Sequence, residues 1–308
     1  MPDSAAPAAR AEAGRPLHLP SGLALATVGA IAFSGKAIIV KLAYRYGVDA
    51  VTLIMLRMLF ALPLFVALAW WAGRGKPPLA RRDMLAIAGL GFSGYYLASF
   101  LDFAGLAYVT AGFERLVLYL NPTLVLLLGW LLFKRRFGAR QLASLAVSYA
   151  GVLLVFGHEL KSEGPDVALG ALLVFASAAS YALYLVYSGE EVKRLGSLRL
   201  TGLATSVACV LCIAQFVLLR PLSAATTVAP QVIWLSLLNA TACTFAPVLM
   251  VMMAIERIGP TMAAQTGMIG PMSTILMGVV ILGEPFTAWI AAGSALVIAG
   301  VWLLTRWR

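Results

Sequence analysis

Residues 121–155, NPTLVLLLGWLLFKRRFGARQLASLAVSYAGVLLV, and residues 270–304, GPMSTILMGVVILGEPFTAWIAAGSALVIAGVWLL, align without a gap at an offset of 149. Pro122 meets Pro271, Gly129 meets Gly278, Phe137 meets Phe286, and Gly151 meets Gly300. Ala139, Ala143, Ala146 and Ala150 likewise meet Ala288, Ala292, Ala295 and Ala299. Alanine and leucine matches are cheap in so apolar a chain, but a proline, two glycines and a loop phenylalanine at one offset mark an internal repeat. Within each stretch two apolar runs flank a short connection. That connection is Lys134-Arg135-Arg136 in the first copy and Gly283-Glu284-Pro285 in the second.

Composition says where such runs belong. Of the 308 residues 61% are hydrophobic and only 12% charged, with a mean hydropathy of +0.91. An exterior this poor in charge must face lipid, which excludes a water-soluble domain. A transmembrane barrel would alternate apolar and polar residues in segments of about ten, whereas the runs here are continuous. About 20 apolar residues are needed for a helix to cross a hydrocarbon core of roughly 30 Å. Runs of that kind fall at 21–44, 50–72, 83–107, 111–133, 140–157, 167–188, 197–219, 230–255, 260–282 and 286–305. The expected fold is therefore an all-α integral membrane protein of ten transmembrane helices.

Positive charge orients it. With a cytoplasmic N-terminus, the inner segments carry sixteen Lys and Arg, including Arg81-Arg82, Lys134-Arg135-Arg136 and Lys193-Arg194, and the outer ones carry four, Lys41, Arg45, Lys161 and Arg220. The positive-inside rule then puts both termini in the cytoplasm and the protein in the plasma membrane. The net charge of +10 is accounted for by contact with anionic inner-leaflet lipid rather than nucleic acid. Residues 1–20, rich in Ala and Pro, lack the apolar core of a signal peptide and are expected to form a disordered cytoplasmic tail. Each repeat, 21–157 and 167–305, holds five helices. An odd number forces the second copy upside down, and the opposite dress of the two repeat-related loops agrees. Inverted repeats are a mark of secondary transporters.

At this point the chain resembles the drug/metabolite transporter superfamily, in particular its EamA-type ten-helix members, over about residues 21–305. The resemblance is carried by Thr52-Leu-Ile-Met-Leu-Arg57, Ala111 to Leu132 with Pro122, Ile258-Gly-Pro-Thr-Met-Ala263, Gly270-Pro271 and Gly283-Glu284. The first unit departs from it with Lys134-Arg135 where a Gly-Glu pair would recur, and the second has Ser206 near the place of Arg57. Within the superfamily the chain looks most like the aromatic amino-acid exporters of the YddG type. The resemblance implies helices 1–4 and 6–9 around a central cavity, with helices 5 and 10 peripheral, and a substrate drawn from small metabolites such as amino acids. Phosphorylated sugars or nucleotide sugars are the alternative.

Charged side chains in a bilayer core cost roughly 2.5–3.5 kcal/mol each on insertion scales, so those retained mark candidate sites. They are Lys36, Arg57, Asp102, Glu114 and Arg115, all in the outer half of the first repeat. Two readings stand: a structural ion-pair lattice with Arg57 close to the interface, or a site where a cation meets a substrate carboxylate and Asp102 or Glu114 carries a coupling proton. Tyr95, Tyr96, Tyr119, Tyr181 and Tyr184 lie deeper than an interfacial belt and fit either packing or a polar cavity. Asn239, Gln265 and Thr266 are polar positions that face a cavity or bond across helices. Pro122, Pro247 and Pro271 are candidate hinges. The methionines of helices 8 and 9 suit core packing or an adaptable surface.

Other chemistry is not expected. Cys209 and Cys212 have C-x-x-C spacing but sit in an apolar helix and read as packed thiols. His158-Glu159 opens like a zinc motif, yet position 162 is Ser. With two histidines, no metal site and no cofactor are expected. No Walker-type loop or Gly-x-Ser-x-Gly elbow is present, which argues against an ATP-driven pump and an intramembrane enzyme. The absence of a long loop argues against a receptor. Gly293 and Gly300 permit close helix contacts without fixing an oligomeric state.

Overall fold

A computed structural model of the protein describes residues 19–133, 138–162, 164–267 and 269–306. Most of the expected tail, and Lys134 to Phe137 in the first repeat loop, lie outside the described residues. Those described contain helices and no strand. In chain order the helices are α1 (Leu19–Tyr44), α2 (Ala50–Gly73), α3 (Arg81–Leu90), α4 (Ala98–Leu106), α5 (Ala111–Leu118), α6 (Asn121–Phe133) and α7 (Ala139–Ser162). After them come α8 (Asp166–Leu195), α9 (Ser197–Leu219), α10 (Ser223–Thr226), α11 (Pro230–Ala240), α12 (Ala246–Gly267), α13 (Ile269–Met277) and α14 (Ala288–Arg306). Several are pieces of one rod. A π-helical segment, Gly91–Leu97, joins α3 to α4, and another, Thr241–Phe245, joins α11 to α12.

Eight helical stretches are long and apolar enough to cross a membrane, and two shorter apolar helices follow, Ile269–Leu282 and Ala288–Leu303. The eighth expected span does not stop at 255, because helical backbone continues to Gly267. The outer surface is apolar in the way lipid demands: Leu218 is 82% exposed and Val280 72%. The protein is thus a multi-pass membrane protein.

Close helix approach is bought with small residues, since lipid tails are as apolar as the side chains and supply no hydrophobic drive between helices. α2 packs along α9, α1 along α12, α4 along α8, and α7 along α14. A Cβ on Gly151 of α7 would lie 2.6 Å from the Gly293 carbonyl of α14, and one on Gly300 would lie 2.9 Å from the Ser144 carbonyl of α7. Shifting Gly151 and Ser144 by 149 residues gives Gly300 and Gly293, so the two contacts exchange under the repeat offset. The pattern recurs between other helices. Gly22 abuts Ile258 as Gly170 abuts Val109, and Gly29 faces the Pro247 carbonyl as Ser177 donates to the Ala98 carbonyl at 2.7 Å, with α1 and α8 related at an offset of 148 rather than 149. These two π-helical segments also overlay, Thr241–Phe245 falling on residues 92–96 at an offset of 149, whereas a third, Gly278–Leu282 after α13, falls on the α-helical residues 129–133.

Asp49 ties the ends of α2 and α9. Its Oδ1 accepts from the backbone N–H of Val51 and Thr52 at the start of α2 and from Arg220 Nε at 3.2 Å, while Oδ2 accepts from the Thr52 hydroxyl at 2.6 Å. Burial works to raise this carboxyl, but the bonds from Thr52 and the Arg220 guanidinium outweigh it and hold Asp49 below the usual carboxylate range. A lowered folded value means that the cap stabilises at pH above the unfolded carboxylate range and fades as pH falls through the folded value. Asp49→Ala should therefore cost about 1 kcal/mol at neutral pH, with the gap to the parent protein closing in acid melts. Gly293→Ala should cost about 1–3 kcal/mol by overpacking. Gly89→Ala, where an added Cβ meets nothing within 4 Å, should leave the melting temperature unchanged or raise it. Equal melting of the two glycine variants would contradict the α7–α14 contact.

Candidate functional site within the membrane

Four of the five intramembrane charges meet where α1, α4 and α5 converge. Lys36 Nζ of α1 donates to Asp102 Oδ2 of α4 at 2.6 Å, with side-chain exposures of 12% and 2%. Glu114 of α5 is fully buried beside Asp102, and its Oε2 lies 3.8 Å from Arg115 Nε, too far for a hydrogen bond. Two cations thus balance two carboxyls, but their bonding is incomplete. Among the described residues no N–H or hydroxyl donor reaches Asp102 Oδ1 or the Glu114 oxygens, which can bond only to each other through a shared proton, and Arg115 Nε and Nη2 have no acceptor. A buried polar atom left unpaired costs about 1–3 kcal/mol, and more when charged. The Lys36–Asp102 pair is what a structural lattice would contain. At the other end Glu114 lies within hydrogen-bond reach of Asp102, a contact that one shared proton completes, while Arg115 Nε and Nη2 have no partner among the described residues.

The placement of Glu114 depends on how α5 begins. Thr110 is the N-cap, its Oγ1 accepting from Phe113 N at 3.1 Å while its hydroxyl donates to Glu159 of α7. The next two backbone donors, Ala111 N and Gly112 N, are taken by the Glu284 carboxylate at 2.8 and 3.3 Å. A carboxylate suits a helix N-terminus both as acceptor and as a charge facing the helix dipole. Gly283 at φ +74° ends the last turn before Glu284 in a left-handed conformation that glycine accepts without strain. The sequence marks Gly283-Glu284 as a repeat-related loop and a family feature, and does not reveal this capping. Its signal was a lone acidic residue between two apolar helices.

At the far end of α5, Pro122 cannot bond to the Leu118 carbonyl four residues back, and that oxygen instead accepts from Asn121 Nδ2 at 2.7 Å. The helix breaks at Tyr119 and Leu120, and the Tyr119 hydroxyl is buried with no partner among the described residues. Pro247 lies just beyond the second π-helical segment, and Pro271 lies within α13, where the Gly270 carbonyl accepts from Ser34 of α1 at 2.7 Å.

The other candidates are spread out. Arg57 is 4% exposed. Its guanidinium lies 4.8 Å from the Phe103 ring centre and donates to Ser99 Oγ at 3.2 Å, with no carboxylate in ion-pair contact among the described residues. It is long enough to reach sideways from α2 into the flank of α4 instead of snorkelling outward. Tyr95, Tyr181 and Tyr184 form a separate group with Leu90 and Leu200, the Tyr95 and Tyr184 hydroxyls 3.1 Å apart. Tyr96 lies against Phe92. Asn239 is 1% exposed, its Oδ1 unpartnered among the described residues. The Gln265 side chain lies outside the described residues. Cys209 and Cys212 are free and buried, Cys209 touching Met58 Sδ at 3.6 Å. One turn outward from Asp102 and Glu114 a cleft of roughly 470 Å³ opens, lined by Lys41, Arg45, Leu106, Thr110 and Glu284 among others.

A multi-pass helical protein with a buried, incompletely paired charge cluster is the frame of a solute carrier. The sequence profile of the EamA-like transporter family matches residues 20–157 and again 168–306. The chain belongs to that family, within the drug/metabolite transporter superfamily. It is 30% identical over 285 residues to an uncharacterized transporter of Bacillus subtilis, YcbK, covering 86% of each chain. It is 25% identical to an uncharacterized transporter of Archaeoglobus fulgidus, covering 89% of this chain and 93% of that one. A crystal structure aligns with TM-score 0.60 and 18% identity over 94% of this chain and 97% of its own, a likeness of fold alone.

Breaking a buried pair by removing one partner typically costs 3–5 kcal/mol, whereas replacing both is far milder. Lys36→Met and Asp102→Asn should each lower the melting temperature more than the double variant does. Additive losses in the double variant would show that the two side chains are not coupled.

Proposed function

We propose that this protein is a secondary transporter that exports amino acids with aromatic or large apolar side chains from the cytoplasm by alternating access. The observation that carries the reading is the cluster of Lys36, Asp102, Glu114 and Arg115, in which a buried guanidinium keeps donors without a partner among the described residues beside two carboxyls that bond to each other only through a shared proton. A zwitterion presents the matching groups, a carboxylate for Arg115 or Lys36 and an ammonium for Glu114. Phe33, with Lys36 Nζ 5.9 Å from its ring, and Tyr119 supply aromatic surface on the same helices.

In this reading ten spans form two inverted five-helix units, 21–157 and 167–305, with both termini in the cytoplasm and the protein in the plasma membrane. The contacts that exchange under the 149-residue offset support it, as do the two family matches. π-Helical turns at repeat-related places add to this, since such turns concentrate at functional sites and give α3–α4 and α11–α12 equivalent points of give. Pro122 and Pro271 add a second repeat-related pair. The substrate cavity is shared with membrane lipid only at its walls, and no cofactor takes part.

The test is flux in proteoliposomes. Labelled phenylalanine and leucine should show saturable transport without nucleotide, and Glu114→Gln should reduce it at least tenfold. Flux confined to nucleotide sugars or triose phosphates would keep the transporter and overturn the substrate. A requirement for ATP would overturn the mechanism.

A further inference from the structure

The cleft beyond the charge cluster has unspent chemistry. Lys41 and Arg45 stand one turn apart on α1, and each gives a donor to a backbone carbonyl: Lys41 Nζ to Val109 at 2.9 Å and Arg45 Nη2 to Leu282 at 2.6 Å. Neither is in ion-pair contact with a carboxylate among the described residues. The acidic residue lining the cleft, Glu284, is already held by Ala111 N and Gly112 N. An ammonium has three donors and a guanidinium five, so both cations retain capacity for an acceptor from outside the protein.

Position gives that capacity a purpose. Leu106 and Thr110 line the cleft, and each lies four residues from a buried carboxyl, Asp102 on α4 and Glu114 on α5. Four residues are about one helical turn, or about 6 Å along the axis. The cleft therefore sits one turn outward from the charge cluster on two helices at once. Its volume of roughly 470 Å³ lies in the range of small-molecule sites.

We infer that this cleft is a second binding station, an outer vestibule in which Lys41 and Arg45 hold the carboxylate of a solute passing to or from the buried cluster. The inference rests on the transporter reading and its topology. Arg45 supplies the fork that a carboxylate matches, and Lys41 supplies a point charge one turn deeper. Glu284 stays on α5 and keeps that helix end from competing for the solute. An ion-pair brace alone would not need two cations with spare donors facing an open cleft.

The experiment compares the two faces of the membrane. In proteoliposomes of defined orientation, Lys41→Gln/Arg45→Gln should raise the KM for phenylalanine presented on the cleft face at least tenfold and leave the opposite face within twofold. Phenylalaninamide, which lacks the carboxylate, should inhibit the parent and the double variant equally. Equal KM changes on both faces, or equal loss of the amide, would make the pair a structural brace and overturn the inference. If the parent carries no phenylalanine at all, the amino-acid reading falls separately. The vestibule is then judged on purified protein by phenylpropionate against inorganic phosphate. A melting shift given by the carboxylate and absent in the double variant supports it. No shift, or one given by phosphate alone, overturns it.

Discussion

The Lys36–Asp102 pair joins α1 to α4 inside hydrocarbon, and the rest of the site is arranged around it. Two charges so buried gain most from each other, because burial removes much of their contact with water. Their contact fixes the C-terminal half of α1 relative to α4. α5 then brings Glu114 against Asp102, and its own start is fixed by Thr110 and by Glu284 from beyond α13. A residue near the chain's C-terminal end thereby positions a carboxyl in the fourth expected span. The cluster is held in place by what surrounds it, yet Arg115 keeps donors without a partner among the described residues.

The same helices supply candidate points of motion. α5 is stopped by Pro122 one turn past the cluster, and the Asn121 side chain takes up the carbonyl that the proline strands. The rod containing Asp102 has a π-helical segment on its inner side, and the rod containing Asn239 has one at the related place. Segments of this kind change their hydrogen-bond register at modest cost, whereas the α7–α14 contact, glycine against backbone, has no slack. The geometry thus separates a stiff pair of helices from a set with built-in breaks.

Much of the fold was legible in the sequence, for reasons that are local. Span length and apolarity are summed properties of twenty residues, so eight stretches fell where expected. The repeat between residues 121–155 and 270–304 showed because its glycines and proline have few substitutes. The relation between Gly91–Leu97 and Thr241–Phe245 did not show, since a π-helical turn is set by backbone register and the two segments share almost no residues. Among site residues, Lys36, Asp102, Glu114 and Arg115 stood out because charge in lipid is costly wherever it points. Opposite signs at a shared depth pointed to pairing with either Lys36 or Arg57 as the cation; Lys36 takes Asp102, while Arg57 turns toward Phe103 and Ser99. Glu284, Lys41 and Arg45 were passed over as loop and interfacial charges. Their roles depend on which helix end the chain brings back to meet them.

The central claim is that the open end of the cluster, Glu114 with Arg115, is where the solute binds. Equilibrium binding of a labelled aromatic amino acid to purified protein, parent against Glu114→Gln, tests it most directly. Saturable binding by the parent that is lost in a variant of unchanged unliganded melting temperature is the predicted result. Equal binding by both proteins would contradict the account.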